Sequence, residues 1–196
     1  MNYSCLRNAR LESKARPAFA VWITGLPASG KSTVAAALAR QIREIGIDVT
    51  VLESDALRKT FSTHPNYDEQ DRDRFYGFLL CIGSVLVRHG RSVIFDATAN
   101  RRSYRARARE QIPQLIEVFV DCPLEVCVQR DPKGIYRKAR EGQANHVPGV
   151  QAVYEPPEDP DVVIHGDRDY PEEAARRVVE VLVSKGFLAS ATQDSP

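Results

Sequence analysis

The sequence lacks a run of apolar residues long enough to cross a membrane, and its N-terminus lacks the apolar core of a signal peptide. It also lacks a clear excess of either charge, because 27 Lys and Arg against 26 Asp and Glu leave a formal net charge of +1. Proteins with an extended nucleic-acid surface are usually basic overall, so this balance argues against such a surface. We therefore expect a cytoplasmic protein that has no membrane partner and binds no extended nucleic acid.

Cysteine is also scarce, and its spacing fits neither a metal site nor a disulfide framework. The chain has four cysteines, at Cys5, Cys81, Cys122 and Cys127. The last three fall in apolar stretches, so we expect them to be small buried hydrophobic residues.

Strand-like apolar runs alternate with helical patterns along the 196 residues, a length that favours one domain. Strands are predicted over 18–23, 48–52, 92–95, 115–120 and 162–164, and helices over 33–42, 68–88, 101–111, 171–185 and a short stretch after Pro123. Repeated βα units predict a three-layer α/β/α fold with a parallel sheet of about five strands. We expect this domain to cover residues 17–188, with an N-terminal arm over 1–16 and a flexible tail over 189–196.

An eight-residue motif between the first predicted strand and the first predicted helix carries the strongest functional signal. Residues 25–32 read Gly-Leu-Pro-Ala-Ser-Gly-Lys-Ser, the GxxxxGK[ST] pattern of a P-loop. The backbone N–H groups of such a loop cradle phosphate oxygens, while Lys31 can reach the β- and γ-phosphates and Ser32 can hold Mg²⁺. The motif predicts a P-loop NTPase of the nucleotide-kinase type with ATP and Mg²⁺ as ligands. The predicted ATP-binding residues are Gly25, Leu26, Pro27, Ala28, Ser29, Gly30, Lys31, Ser32, Thr33 and Arg130.

Two acidic residues follow predicted strands at the edge where sheets of this kind bind ligands. Asp55 comes just after the second strand and can either accept the proton of an acceptor hydroxyl or cap the helix that follows. Asp96 ends the third strand, where a buried carboxylate is costly without a partner. We favour Mg²⁺ beside Ser32 as that partner, and the alternative is a capping or turn role for Asp96.

Arginines cluster on the elements that leave the same edge, and guanidinium groups bind phosphate and sulfate oxygens bidentately. We expect Arg58, Arg72 and Arg101 to bind an anionic acceptor, and we expect the remaining arginines to be solvated: Arg74, Arg102 and Arg105. Residues 131–160 are rich in proline and charge, which favours a lid over the bound nucleotide. An ordinary exposed loop is the alternative for this segment.

Two further stretches, together with the P-loop, are similar to adenylylsulfate (APS) kinases. They are residues 116–136, which contain Asp-Pro-Lys-Gly-Ile-Tyr, and residues 154–160, which read Tyr-Glu-Pro-Pro-Glu-Asp-Pro. The resemblance implies a P-loop kinase, commonly dimeric, that transfers the γ-phosphate of ATP to the 3′-hydroxyl of adenylylsulfate. It further implies that Asp55 lies near the acceptor hydroxyl, and it adds the following residues to the acceptor pocket or the mobile lid: Arg58, Arg72 and Lys138.

The middle of the chain departs from the pattern of that family. Asp-Gly-Asp-Asn becomes Glu53-Ser54-Asp55-Ala56, Asn-Ile-Arg-Arg becomes Phe75-Tyr76-Gly77-Phe78, and Ile-Ser-Pro-Phe-Arg becomes Ala97-Thr98-Ala99-Asn100-Arg101. Residues 54–58 and 96–100 look more like the corresponding segments of polynucleotide-kinase-type P-loop kinases, a likeness that also supports Asp96 near the metal.

We predict an ATP-dependent kinase that acts on adenylylsulfate. The predicted catalytic residues are Lys31, Asp55 and Arg58, and the predicted acceptor-binding residues are Asp55, Arg58, Arg72, Phe75, Thr98, Arg101 and Lys138. A kinase for a different nucleotide or a sugar-linked acceptor is one alternative, and a non-catalytic ATP-binding regulatory module is another.

Overall fold

The computed structural model describes residues 17–62 and 66–189 and contains one parallel sheet with the strand order β2-β3-β1-β4-β5. The strands are β1 (Ala20–Thr24), β2 (Val49–Glu53), β3 (Ser92–Asp96), β4 (Leu115–Asp121) and β5 (Val162–His165). The helices of the described residues are α1 (Lys31–Glu44), α2 (Ser54–Phe61), α3 (Glu69–Arg88), α4 (Arg102–Gln111), α5 (Leu124–Arg130), α6 (Ile135–Arg140) and α7 (Pro171–Ser184). The predicted α/β/α fold with five parallel strands is confirmed.

An apolar core covers each face of the sheet. Every residue of β1 and β3 is therefore buried. On one face α1 and α7 pack against Val21, Ile23 and the neighbouring strands. On the other face α3 and α4 enclose Trp22 and Phe95, whose rings stack with centroids 4.6 Å apart. Burial on both faces is typical of a parallel sheet whose crossover connections are helices.

The register of the central strands brings three chain segments to one edge of the sheet. β1 pairs with both β3 and β4, and Ile23 lies opposite Asp96. β2 pairs with β3 so that Glu53 also lies opposite Asp96. The carboxyl ends of β1, β2 and β3 therefore converge, which is the place where open α/β sheets bind their ligands.

Some details differ from the sequence predictions. Cys122 and Cys127 are buried as expected, but Cys81 is exposed on α3, so that prediction was wrong for one of the three. The segment over 131–160 contains the helix α6, which the prediction did not include. The predicted arm over 1–16, Cys5 and residues 190–196 lie outside the described residues. Within the part of the chain that the structure describes, no helix is both long and apolar enough to span a bilayer.

Candidate active site

The P-loop joins β1 to α1 through a tight curl of the backbone. Gly25 has a φ of 151°, and a Cβ atom at that position would lie 2.5 Å from the Val120 carbonyl oxygen, so only glycine fits there. Gly30 precedes α1 with a φ of 106°, again in the region that favours glycine. Because Gly30 has no side chain to cap α1, the N–H groups of its first turn remain available for an anion.

A cavity of about 450 Å³ opens above this loop. It is bounded by the P-loop, by the ends of β2 and β3, and by the start of the segment 131–160, which we call the lid segment. The polar and charged side chains that line the cavity are Lys31, Ser32, Thr33, Glu53, Asp55, Asp96, Thr98, Arg130, Asp131 and Lys133. Seven of the ten predicted ATP-binding residues thus share one space with Asp55 and Thr98, whereas the other three do not line it: Gly25, Leu26 and Ser29.

Lys31 is the best buried cation of this cavity, with 8% of its surface exposed. Its ammonium donates a hydrogen bond of 2.7 Å to the Leu26 carbonyl of the same loop. Burial lowers the pKa of Lys31, and the carboxylates of Asp96 and Asp55 oppose that shift. The side chain is folded over the loop, where it faces the space that phosphate groups would enter.

The residues at the end of β3 suit a hard divalent cation. The Asp96 carboxylate is 7% exposed and lines the cavity together with Glu53 and the exposed hydroxyl of Ser32. Asp96 does not cap the next helix, since Arg101 precedes α4 as its N-cap residue. Among the described residues no group of three or more His, Cys, Asp or Glu side chains forms a metal cluster. Mg²⁺ in kinases is held by one or two protein oxygens together with substrate phosphates, so this donor set fits it.

Asp55 lies in the first turn of α2, because that helix begins at Ser54 and Glu53 is its N-cap residue. The alternative that Asp55 is the helix cap was therefore wrong. The carboxylate forms an ion pair with Lys133 of the lid segment, and this hydrogen bond raises the pKa of Lys133. Lys133 and Glu53 were missed as site residues, although Lys133 stands inside the Asp-Pro-Lys-Gly stretch that carries the resemblance.

Arg58, three residues after Asp55 on α2, lies against Phe75, and neither residue lines the cavity. The Arg58 guanidinium lies over the buried Phe75 ring, 3.9 Å from its centroid, and donates a 2.7 Å hydrogen bond to Asp71. Tyr67 contributes a second ring 4.9 Å from the guanidinium. The aromatic rings and Asp71 hold this cation in place, which is an arrangement that can present it to an anion.

The remaining predicted acceptor residues are more dispersed. Arg72 is buried and donates to the backbone carbonyls of Tyr67 and His146. Arg101 pairs with Glu155 of the lid segment at 2.8 Å. Lys138 is exposed on α6.

Arg105 contradicts the prediction that it is solvated. It is 2% exposed and donates to Glu117, which lies buried in β4. It also donates to the carbonyls of Ala99 and Glu155, so it joins the loop after β3 to the end of the lid segment. A strongly basic helix gives no sign of which arginine faces the sheet, but Glu117, an acidic residue in the middle of the apolar β4, was an available signal.

Residues 17–165 match the model of the adenylylsulphate kinase family. A protein named adenylyl-sulfate kinase from Synechococcus sp. (strain JA-3-3Ab) is 41% identical over 168 residues, which are 86% of this chain and 96% of that protein. A second protein of that name, from Halothermothrix orenii, is 37% identical and is covered over 91% of its length.

Solved structures agree with this relationship. The structure of an APS kinase from Mycobacterium tuberculosis in complex with AMPPNP and APS superposes with a TM-score of 0.79 at 36% identity, covering 85% of this chain and 98% of that one. The family match over residues 17–165 includes the P-loop, β2, β3 and the whole lid segment, so the likeness spans the candidate site and all five strands of the sheet. The chain belongs to the adenylylsulphate kinase family and has the P-loop kinase fold of its relatives.

Proposed function

We propose that this protein transfers the γ-phosphate of ATP to the 3′-hydroxyl of adenylylsulfate, which gives 3′-phosphoadenylylsulfate and ADP. The observation that carries the proposal is the cavity in which the P-loop side chains Lys31 and Ser32 face Asp55. The family relationship supports the choice of acceptor.

The donor half of the reaction rests on the P-loop. Its backbone N–H groups and Lys31 would hold the β- and γ-phosphates of ATP, with Arg130 at the edge of the cavity. Ser32 and Asp96 are the residues proposed to hold Mg²⁺, which neutralises phosphate charge when it is bound. Phosphoryl transfer depends mainly on positioning and on charge neutralisation, and these groups supply both.

The acceptor half rests on Asp55 and Arg58. Asp55 would accept the proton of the 3′-hydroxyl as the hydroxyl oxygen forms a bond to the γ-phosphorus. At the same time, the bond between the γ-phosphorus and the oxygen that bridges to the β-phosphate would break, and ADP would leave. Arg58, held between Phe75 and Tyr67, would bind the anionic group of the acceptor. We further propose contributions to acceptor binding from the other predicted residues: Arg72, Phe75, Thr98, Arg101 and Lys138.

The lid segment would exclude water from the transferring phosphate. Tyr136 of α6 donates to the Pro27 carbonyl of the P-loop at 3.0 Å, and Pro132, Lys133 and Ile135 line the cavity. A site that is closed on this side favours transfer to a bound hydroxyl over hydrolysis. We also propose a cytoplasmic protein that forms homodimers; a relative from Thiobacillus denitrificans that is 25% identical is described as a hexameric APS kinase.

One observation favours a second candidate, a kinase for a different nucleotide or a sugar-linked acceptor. Where the family has Asn-Ile-Arg-Arg, this chain has Phe75, Tyr76, Gly77 and Phe78, so α3 offers aromatic rings in place of polar contacts. Phe75 is buried and Phe78 is 40% exposed beside Phe61. The acceptor side therefore carries fewer cations than the family pattern.

The test is an acceptor screen that follows ADP release in the presence of ATP and Mg²⁺. Saturable ADP release that depends on adenylylsulfate, with a product phosphorylated at the 3′ position, is the expected result. Release that depends only on another nucleotide or on a sugar derivative would replace this proposal with the second candidate. Tight ATP binding without release for any acceptor would instead indicate a regulatory module.

A further inference from the structure

Thr24, the last residue of β1, is fully buried and directly precedes Gly25 of the P-loop. The pairing of β1 with β3 ends one residue earlier, where Ile23 lies opposite Asp96. Beyond that point the Thr24 hydroxyl donates a 2.6 Å hydrogen bond to the Thr98 carbonyl. A side-chain contact therefore extends the connection between the strand that enters the P-loop and the strand that carries Asp96.

Tyr154, which begins the Tyr-Glu-Pro-Pro-Glu-Asp-Pro stretch, contacts the same hydroxyl, and the two oxygens are 3.1 Å apart. A threonine hydroxyl has one proton, and the proton of Thr24 is directed to the Thr98 carbonyl, so Tyr154 is the donor in this pair. Burial raises the pKa of Tyr154 to about 12, so the phenol keeps its proton at neutral pH. Its ring lies nearly parallel to that of Phe119 on β4, with centroids 6.3 Å apart. A directed chain of hydrogen bonds thus runs from Tyr154 through Thr24 to Thr98.

The peptide group between Thr98 and Ala99 is held at both of its polar atoms. Its carbonyl oxygen accepts from Thr24, and its N–H, which belongs to Ala99, donates to the Tyr76 phenol at 2.9 Å. Ala99 has a φ of 40°, which is uncommon for a residue with a side chain. Rotation of the peptide group would change this φ, so the two hydrogen bonds oppose the relaxation of an unusual backbone conformation.

This peptide group lies at the wall of the candidate active site. Thr98 lines the cavity together with Asp96 and Ser32. Thr24 is fully buried and does not line the cavity, so the carbonyl that it binds points into the protein. A rotated carbonyl would instead add partial negative charge beside the Asp96 carboxylate, where the phosphates of ATP are expected.

The residue after Ala99 has its own contacts with the end of the lid segment. The Asn100 side chain donates to the Val153 carbonyl at 2.9 Å, and the Asn100 carbonyl accepts from the Glu155 N–H at 2.8 Å. These hydrogen bonds do not involve Thr24. Removal of the Thr24 hydroxyl should therefore leave the connection to α4 folded and act locally, at the Thr98 carbonyl.

We propose that Thr24 is a positioning residue that holds the peptide group between Thr98 and Ala99 in its orientation, with Tyr154 directing the Thr24 proton. The Tyr154 stretch thereby contributes to the site without lining the cavity. The effect on turnover rests on the phosphotransfer proposed above. The effect on the peptide group does not, and it can be measured without any ligand.

A set of hydroxyl deletions separates this role from a merely structural one. Thr24→Val removes the hydroxyl and keeps the shape of the side chain, whereas Thr24→Ser keeps the hydroxyl. Tyr154→Phe removes the phenol alone. The double variant Thr24→Val/Tyr154→Phe also removes the buried phenol that Thr24→Val leaves without a partner. Thr50→Val on β2 is the control for the same substitution elsewhere in the sheet.

The first measurement is amide exchange at Ala99, followed by NMR in the free protein. We expect Thr24→Val to raise the exchange rate about 3- to 10-fold, since the other hydrogen bond of the same peptide group is lost. Tyr154→Phe should raise it less than about 3-fold, because Thr24 still donates to Thr98. Thr24→Ser and Thr50→Val should exchange at the wild-type rate.

The second measurement compares stability in urea with ADP release in the presence of adenylylsulfate. Thr24→Val should lower kcat about 10- to 100-fold, the scale of a displacement within an active site. It should also lower the urea midpoint, because the Tyr154 phenol loses its buried partner. The double variant should regain most of that midpoint but not the turnover, since the Thr98 carbonyl still lacks its donor. Thr24→Ser should keep most of the turnover.

Recovery of kcat together with stability in the double variant would overturn the proposal and leave Thr24 a purely structural role. Wild-type exchange at Ala99 in Thr24→Val would overturn it as well. So would an equal acceleration of exchange in α1 and β4, because it would show a general loss of stability. Absence of turnover in the wild type would count against the proposed function, while exchange at Ala99 would still decide the role of Thr24.

Discussion

The donor side and the acceptor side of the candidate site are held together in different ways. On the donor side, the backbone that follows Asp96 is fixed by buried side chains: Trp22 donates to the Ala97 carbonyl at 3.2 Å, and Tyr76 accepts from the Ala99 N–H at 2.9 Å. On the acceptor side, exposed Asp55 and Lys133 pair across the cavity. The donor groups are thus preorganised by the core, whereas the acceptor groups depend on contacts between separate segments.

This difference has a consequence for specificity. A preorganised donor side requires few changes when the acceptor changes, since the P-loop hydrogen bonds described above run within the loop or to Tyr136 of the lid segment and not to α2. The acceptor side can be altered by substitutions on one face of α3, such as Phe75 or Phe78, without disturbing the P-loop. The departures from the family pattern fall mainly on that side.

The largest effect on turnover is expected at Lys31, on the donor side. Lys31→Met removes the buried cation of the P-loop, and we expect turnover to fall by at least about 10³-fold, because charge neutralisation is a main source of catalysis in phosphoryl transfer. Turnover is measured by ADP release and ATP binding by titration calorimetry. Lys59→Met on the exposed face of α2 is the control. A Lys31→Met enzyme that turns over like the wild type would remove the P-loop from the mechanism.

Asp55 probes the acceptor side. Asp55→Asn keeps the shape of the side chain but removes its capacity to accept a proton at neutral pH, and we expect turnover to fall by about 10²-fold. ATP affinity should change far less, since Asp55 is separated from the P-loop by the cavity. Asp159→Asn, an exposed residue of the lid segment, controls for the change of charge. A normal rate in Asp55→Asn would leave the residue only its ion pair with Lys133.

Arg105 tests whether the donor side depends on the core for its geometry. Arg105→Met leaves Glu117 with only the more exposed Arg109 at 3.4 Å, and we expect the free energy of unfolding to fall by about 3 kcal/mol, the lower end of the range for a broken buried ion pair. The matched control is Arg107→Met on the same helix, whose ion pair with Asp73 is exposed and should contribute less than about 1 kcal/mol. Urea denaturation measures both variants. Equal losses in the two variants would contradict the distinction between the sides.

The smallest expected effect concerns the pH dependence of the contact between the lid segment and α4. Hydrogen bonds from the Arg102 N–H and from the Arg101 side chain lower the pKa of Glu155 below its ordinary value of 4.5. Its contribution to stability is therefore present above that pH and is lost as the pH falls through the lower value of the folded state. The stability difference between the wild type and Glu155→Gln should shrink between about pH 6 and about pH 3. Glu110→Gln, at the exposed end of α4, should show no comparable trend in the same urea titrations.

Much of the scaffold could be predicted from local patterns. The strands of the sheet are short apolar runs and the P-loop is a contiguous motif, so both are visible within a few residues of sequence. The position of Asp96 at a strand end followed from the same reasoning, and the structure brings it to the cavity beside Ser32.

What could not be predicted depends on contacts between distant residues. The burial of Arg105 requires Glu117 on another element, and the pairing of Lys133 with Asp55 joins residues 78 positions apart. The helix α6 is short, and its apolar side chains Ile135 and Tyr136 pack toward the P-loop rather than onto the sheet. Short-range periodicity contains no information about such distant partners, and for that reason the contacts of Arg105, Lys133 and α6 could not be predicted.

Gly166, just after β5, determines how much of the chain a working fragment would need. A Cβ atom there would lie 2.1 Å from the Ser29 carbonyl of the P-loop, and the Gly166 carbonyl accepts a 2.7 Å hydrogen bond from Arg130. The match to the family model ends one residue earlier, at 165, and the helix that follows covers the apolar face of α1. A protein shortened to the matched region would lose the contacts of Gly166 with the P-loop and with Arg130, and it would expose Leu38 and Ile42 to water, so expression boundaries for this enzyme belong beyond α7.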